Sequence, residues 1–129
     1  MKLVSQKVVD NKQGDCFAAC LNSILEREDV PNCHTDRERH WLSKYNEFLK
    51  PLGYQISYFT VGHAPTPYGH FIISVKSYLF EGQYHSVVGY TNNFGESTIV
   101  HNPNPEDPRG VNIPVEDWRL IYFISHRFD

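Results

Sequence analysis

At Gly53 the spacing of apolar residues changes from the period of a helix to that of a strand, and this switch constrains the fold most. Upstream, Phe17, Cys20, Leu21, Ile24 and Leu25 fall on one helical face. Asp15 is the expected N-cap of that helix, and Val30-Pro31 its expected end. "TDRE", residues 35–38, has the pattern of a capping box. It opens a second helix whose stripe is Trp41, Leu42, Tyr45, Phe48 and Leu49, stopped by Pro51 and Gly53. Downstream, "YQISYFTV", "FIISV", "HSVVGY", "STIVHN" and "RLIYFISHRF" read as strands. "GHAPTPYGH" (62–70) and "PNPEDPRG" (103–110) read as loops. Helices first and strands after predict an α+β fold, with N-terminal helices packed on a mostly antiparallel sheet.

A chain of 129 residues suits one domain over 1–129, and 40% hydrophobic content is enough to fold it. The net charge of −3, with no run of Lys or Arg, argues against a nucleic-acid partner. "MKLVSQKVVDNKQGD" lacks the apolar stretch and small-residue cleavage site of a signal peptide. No segment approaches the roughly 18 apolar residues of a membrane span, so a cytoplasmic location is expected. Three cysteines fit free thiols in a reducing compartment better than a disulfide framework.

Cys16 follows Gly14-Asp15 where the first helical pattern begins. A helix N-terminus offers free N–H groups and partial positive charge, which favour the reactive thiolate. The Cys16 N–H also suits an oxyanion. The plain alternative is a small buried residue, the usual fate of a free cysteine. A zinc site would draw on Cys16, Cys20, Cys33 and His34. Adjacent Cys33 and His34 rarely converge on one ion, so no metal is expected and Cys20 joins the core stripe.

A base and an orienting residue are offered by residues 85–102, "HSVVGYTNNFGESTIVHN", which reads as a hairpin. If Tyr90 pairs with Ser97, His85 faces Asn102 on one side of the sheet. The Asn102 carboxamide then engages one imidazole nitrogen and leaves the other for a thiol. A one-residue slip would put His101 there instead. His63 and His70 bracket a loop that would border such a site, although exposed loop histidines are the simpler reading. Trp41 and Trp118 are expected core aromatics, and "EREDV" (26–30) a solvated helix end.

Taken together, these residues carry a resemblance. Cysteine before a helix, histidine at a strand start and Asn or Asp at the end of the next strand is the chain order of papain-like cysteine peptidases. "GDCFAACLNSILE" with "HSVVGYTNNFGESTIVHNPNP" more closely resembles small bacterial and phage proteins related to bacteriocin-leader peptidase domains. The likeness runs from Gln6 to about Gly110. It implies Cys16 as nucleophile, His85 as general base and acid, and Asn102 as the orienting residue, where many relatives have Asp. It implies an oxyanion glutamine, either Gln6 or Gln13. Gln6 is preferred because the related proteins carry Gln near that distance. The implied activity is cysteine-dependent hydrolysis or acyl transfer at a peptide, isopeptide or other amide bond, without cofactor, in a pocket built from 60–84 and 103–110. A peptide or protein substrate is expected. The competing reading is an inactive papain-like binding module.

Overall fold

The computed structural model describes residues 1–7, 15–33, 40–63, 65–66, 68–78, 80 and 82–127. Gln13 and the "TDRE" segment lie outside them. Two helices, α1 (Cys16–Leu25) and α2 (Trp41–Leu49), precede five strands. These are β1 (Tyr54–Thr60), β2 (Gly69–Lys76), β3 (Tyr84–Thr91), β4 (Ser97–His101) and β5 (Trp118–His126). They form one sheet in the order β1-β5-β2-β3-β4, with every neighbouring pair antiparallel. The α+β expectation therefore holds. Among the described residues no helix is long and apolar enough to cross a membrane.

The apolar stripes meet as their spacing predicts. Phe17, Cys20 and Leu21 of α1 and Tyr45 and Leu49 of α2 bury against Ile56, Ile72, Val88 and Tyr122 of the sheet. Phe17 is central, with ring centroids of Tyr45, Tyr122 and Trp41 at 4.9, 5.1 and 5.2 Å. Burying such a side chain contributes about 1.5–3 kcal/mol. A second apolar layer, built on Phe71, Ile73, Val75, Val87, Ile99, Ile113 and Ile121, is separate from the helix-packed one.

Helix α1 ends at Leu25, five residues before the Val30-Pro31 stop. Glu26 takes a left-handed conformation (φ 56°, ψ 45°), and the chain turns back so that Val30 is buried. Its N–H donates to Asn22 Oδ1 at 3.0 Å. The pull of Val30 into the core, not the proline, sets the end. The loop "GHAPTPYGH" is shorter than expected, because Gly69 and His70 open β2.

The β3–β4 hairpin departs from the expected register. Tyr90 pairs with Thr98, not Ser97, and Gly89 with Ile99. The register then shifts, so that Val88 pairs with His101 and Val100 is the extra residue of a bulge. Continued past the bulge, this pairing sets Asn102 level with Val87, so His85 and Asn102 are diagonal neighbours, not directly opposed ones. Diagonal pairs are still within reach of long side chains.

Gly89 lies across from Phe71. A Cβ at Gly89 would sit 2.7 Å from Phe71 Cζ and 2.9 Å from Ile73 Cδ1, both in fully buried side chains. Gly89→Ala is expected to destabilise the protein by about 1–3 kcal/mol, read as a lower midpoint in denaturant unfolding with an unchanged slope.

Candidate active site

The N-terminal segment is fastened between α1 and the end of β4. The Val4 N–H donates to Ser23 Oγ at 2.9 Å, and the Val4 carbonyl accepts from His101 Nε2 at 2.7 Å. The Gln6 N–H donates to the Pro103 carbonyl at 2.8 Å. The Lys7 N–H donates to both oxygens of Asp15, at 3.0 and 3.1 Å. Asp15 occupies the N-cap position of α1, but its carboxylate makes no cap hydrogen bond there. It ties residue 7 to the helix start instead. Gln6 is thus held between the residue preceding Cys16 and the residue following Asn102.

Cys16 is the first residue of α1, where the helix N–H groups have no intrahelical partner. The residue is partly buried, and the His85 ring and Ser86 are the groups that act on its thiol. Burial alone would push the thiol pKa up and is the strongest single influence. His85, through hydrogen bond and charge, and Ser86 together outweigh it, so the thiol lies below its ordinary 9.0. His85 responds in the opposite sense. Burial favours the neutral ring most strongly, but Cys16, Asn102 and the charge of Asp107 hold the imidazole above its ordinary 6.5.

His85 Nε2 and Asn102 Oδ1 are 2.7 Å apart. The far end of the carboxamide fixes which atom is which. Asn102 Nδ2 donates to Asp107 Oδ2 at 3.1 Å and to the Gly110 carbonyl at 2.9 Å. Both partners are acceptors, so this end must be the NH₂ group. Oδ1 therefore faces His85 and also accepts the Asn104 N–H at 3.1 Å. A carboxamide oxygen only accepts, so Nε2 carries the proton and donates. That leaves Nδ1 for the Cys16 thiol. Gly110, at φ 57°, is left-handed, a conformation that glycine adopts freely, and its carbonyl is one of the two acceptors.

Of the residues singled out from the sequence, His85 and Asn102 are hydrogen-bonded, Cys16 is close enough to His85 for each to shift the other's titration, and the backbone at Gln6 borders them. His70 does not join them. It pairs with Tyr90 at one end of the β2–β3 ladder, while His85 pairs with Val75 at the other, roughly 17 Å away at the rise of a strand. Its ring packs on Tyr90, with centroids 4.8 Å apart. Cys20 lies in the core, where burial and the neighbouring Cys16 push its thiol well above 9.0. Ser86, Asp107 and Arg109 were not singled out from the sequence. The available signals were the Ser directly after His85 and the acid–base pair two residues apart in "EDPRG".

This helix-and-sheet arrangement is a papain-like α+β fold. A solved example is the peptidase domain of Streptococcus ComA, a bi-functional ABC transporter involved in a quorum-sensing pathway. The two share the fold at a TM-score of 0.60, with 20% identity over 98% of each chain. No family model matches the chain, and no curated protein matches it.

Proposed function

We propose that the protein is a cysteine-dependent hydrolase of peptide or related amide bonds, with Cys16 as nucleophile, His85 as base and acid, and Asn102 as the orienting residue. The observation that carries this reading is the His85–Asn102 hydrogen bond beside Cys16 at the start of α1, in which the carboxamide takes His85 Nε2 and leaves Nδ1 for sulfur. The fold shared with a peptidase domain supports it.

In this mechanism the Cys16 proton resides on His85 Nδ1 before attack. The thiolate adds to the substrate carbonyl carbon, and the resulting oxyanion takes hydrogen bonds from the Cys16 N–H and the Gln6 side chain. Collapse breaks the C–N bond, and the amine leaves with the proton from Nδ1, giving a thioester on Cys16. Water then loses a proton to Nδ1 as its oxygen attacks the thioester. Collapse of that intermediate releases the acid and restores the thiolate–imidazolium pair.

The reaction type is tested by incubating the protein with a defined peptide library and reading masses. Cleavage yields fragments whose masses sum to the parent plus one water, and an acyl adduct on Cys16 under rapid quench. A mass increase of one on Gln or Asn side chains without cleavage would replace peptide hydrolysis by deamidation.

The pH dependence follows from the two shifts. The working form is thiolate with imidazolium. It is lost on acidification as the thiolate is protonated, below the ordinary 9.0 of a thiol. It is lost on the alkaline side as the imidazolium gives up its proton, above the ordinary 6.5 of a histidine. A plot of kcat/KM against pH is therefore expected to be bell-shaped, its limbs belonging to the coupled pair. A single ascending limb at the ordinary thiol value would contradict a preformed ion pair.

A further inference from the structure

We propose that Asp107 is a positioning residue of this centre, holding the Asn102 carboxamide in the orientation that sets the His85 tautomer and supplying behind it the negative charge that Asn102 lacks. The inference rests on the Cys16–His85 reading above and adds a fourth member to it.

The geometry is specific. Asp107 has a side chain only 2% exposed, and its Oδ2 accepts from Asn102 Nδ2 at 3.1 Å. Arg109 grips the same carboxylate with Nε and Nη2, at 3.0 and 2.8 Å, and its own N–H donates to Oδ1 at 3.0 Å. A carboxylate buried this deeply is expensive unless paired and hydrogen-bonded, and here it is both. Arg109 does not cancel the charge of the cluster. Its Nη1 also lies 3.6 Å from Asp117, so one guanidinium is shared by two carboxylates and one negative charge remains. Among the described residues, the charged and titratable groups that act on His85 are Cys16 from α1 and Asp107 from the loop after β4, with Arg109 and Asp117 behind Asp107.

A neutral Asn beside an imidazolium orients it without stabilising its charge. An Asp one hydrogen bond further out supplies that charge, while the amide remains the group in contact with the ring. The carboxylate also makes a flipped carboxamide costly, since Oδ1 would then face an acceptor.

The test is an NMR titration of the His85 ring in a C16A background, where the thiol no longer contributes. Asp107→Asn is expected to move the His85 midpoint to lower pH. N102D/D107N, which moves the charge against the ring, is expected to bring it back or carry it higher. In the enzyme with Cys16 intact, D107N is expected to lower kcat/KM about tenfold or more, the scale of one charged hydrogen bond, and to move the alkaline limb to lower pH. Should D107N not fold, His85→Gln leaves Asp107 in place, and reciprocity predicts that the Asp107 carboxyl titration moves upward. A His85 midpoint unmoved in folded D107N, or an Asp107 titration indifferent to H85Q, overturns the proposal. Coupled titrations in a protein that cleaves no peptide would support the positioning role and count against the hydrolase reading, so the two failures are distinguishable.

Discussion

Replacing Cys16 by alanine is expected to abolish catalysis, lowering kcat/KM by about 10⁴-fold or more. No other thiol can take its place. Cys20 is fully buried and its pKa is pushed well above 9.0, while burial also raises that of Cys33. Serine at position 16 is expected to be nearly as inactive, because His85 cannot ionise a hydroxyl to the extent it ionises this thiol. Stability should change little. Cys16 is only partly buried as a residue and is not among the core side chains, so Cys16→Ala leaves the apolar core intact. The measurement is kcat/KM on a cleaved peptide beside the unfolding midpoint of the same variant. Activity above about 1% of the parent would remove Cys16 from the role of nucleophile.

Replacing His85 by glutamine is expected to lower kcat/KM by about 10³–10⁴-fold, since it removes both the base and the acid. It should also change the thiol itself. Burial is the strongest influence on Cys16 and raises its pKa, and His85 is the leading influence that opposes it. Without the imidazole the balance tips toward the thiol form, and alkylation of Cys16 near neutral pH is expected to slow by about tenfold or more. Histidine at 85 acting only as packing would leave that rate unchanged. Glutamine is preferred to alanine because its amide can still donate to Asn102 Oδ1, which also keeps the Asn104 N–H.

Much of this arrangement was legible in the sequence, because it rests on local periodicity. The helical stripes of residues 17–25 and 41–49 and the alternation after Gly53 carry their own geometry, and each became the expected element. The pairing of His85 with Asn102 was legible as well, although by a different route from the expected one. The hairpin pairs one residue away from the expected register, and the bulge at Val100 adds a second shift, which sets Asn102 level with Val87, on the face of His85 and diagonal to it. Bulges have no local signature in alternation alone, and the extra residue, Val100, is apolar and β-branched like Ile99 before it.

What escaped depends on residues far apart in the chain. The insertion of β5 between β1 and β2 unites the chain's last strand with two near its middle, and no short-range pattern encodes that choice. Asp15 read as a helix cap because its position is that of one, but the Lys7 N–H competes for its oxygens and wins. The bordering place weighed for His70 against plain exposure rests on a loop reaching residue 70, but β2 begins at Gly69 and carries His70 to the opposite end of the ladder. Asp107 was hidden in a proline-rich loop, where an acid is ordinarily solvated. Only the fold shows that this loop is packed, with Pro103 fully buried and Asn104 and Asp107 nearly so.

The most direct measurement is the rate of Cys16 alkylation by iodoacetamide in the folded protein across pH, read residue by residue by mass spectrometry beside Cys20 and Cys33. A thiolate held by His85 at the start of α1 predicts that Cys16 is modified fastest near neutral pH and that its rate profile rises at a pH below that of an ordinary thiol. If Cys16 reacts no faster than Cys20 or Cys33, or only as the pH nears 9.0, the thiol is not activated. The chain would then be a papain-like fold serving as a binding module, not an enzyme.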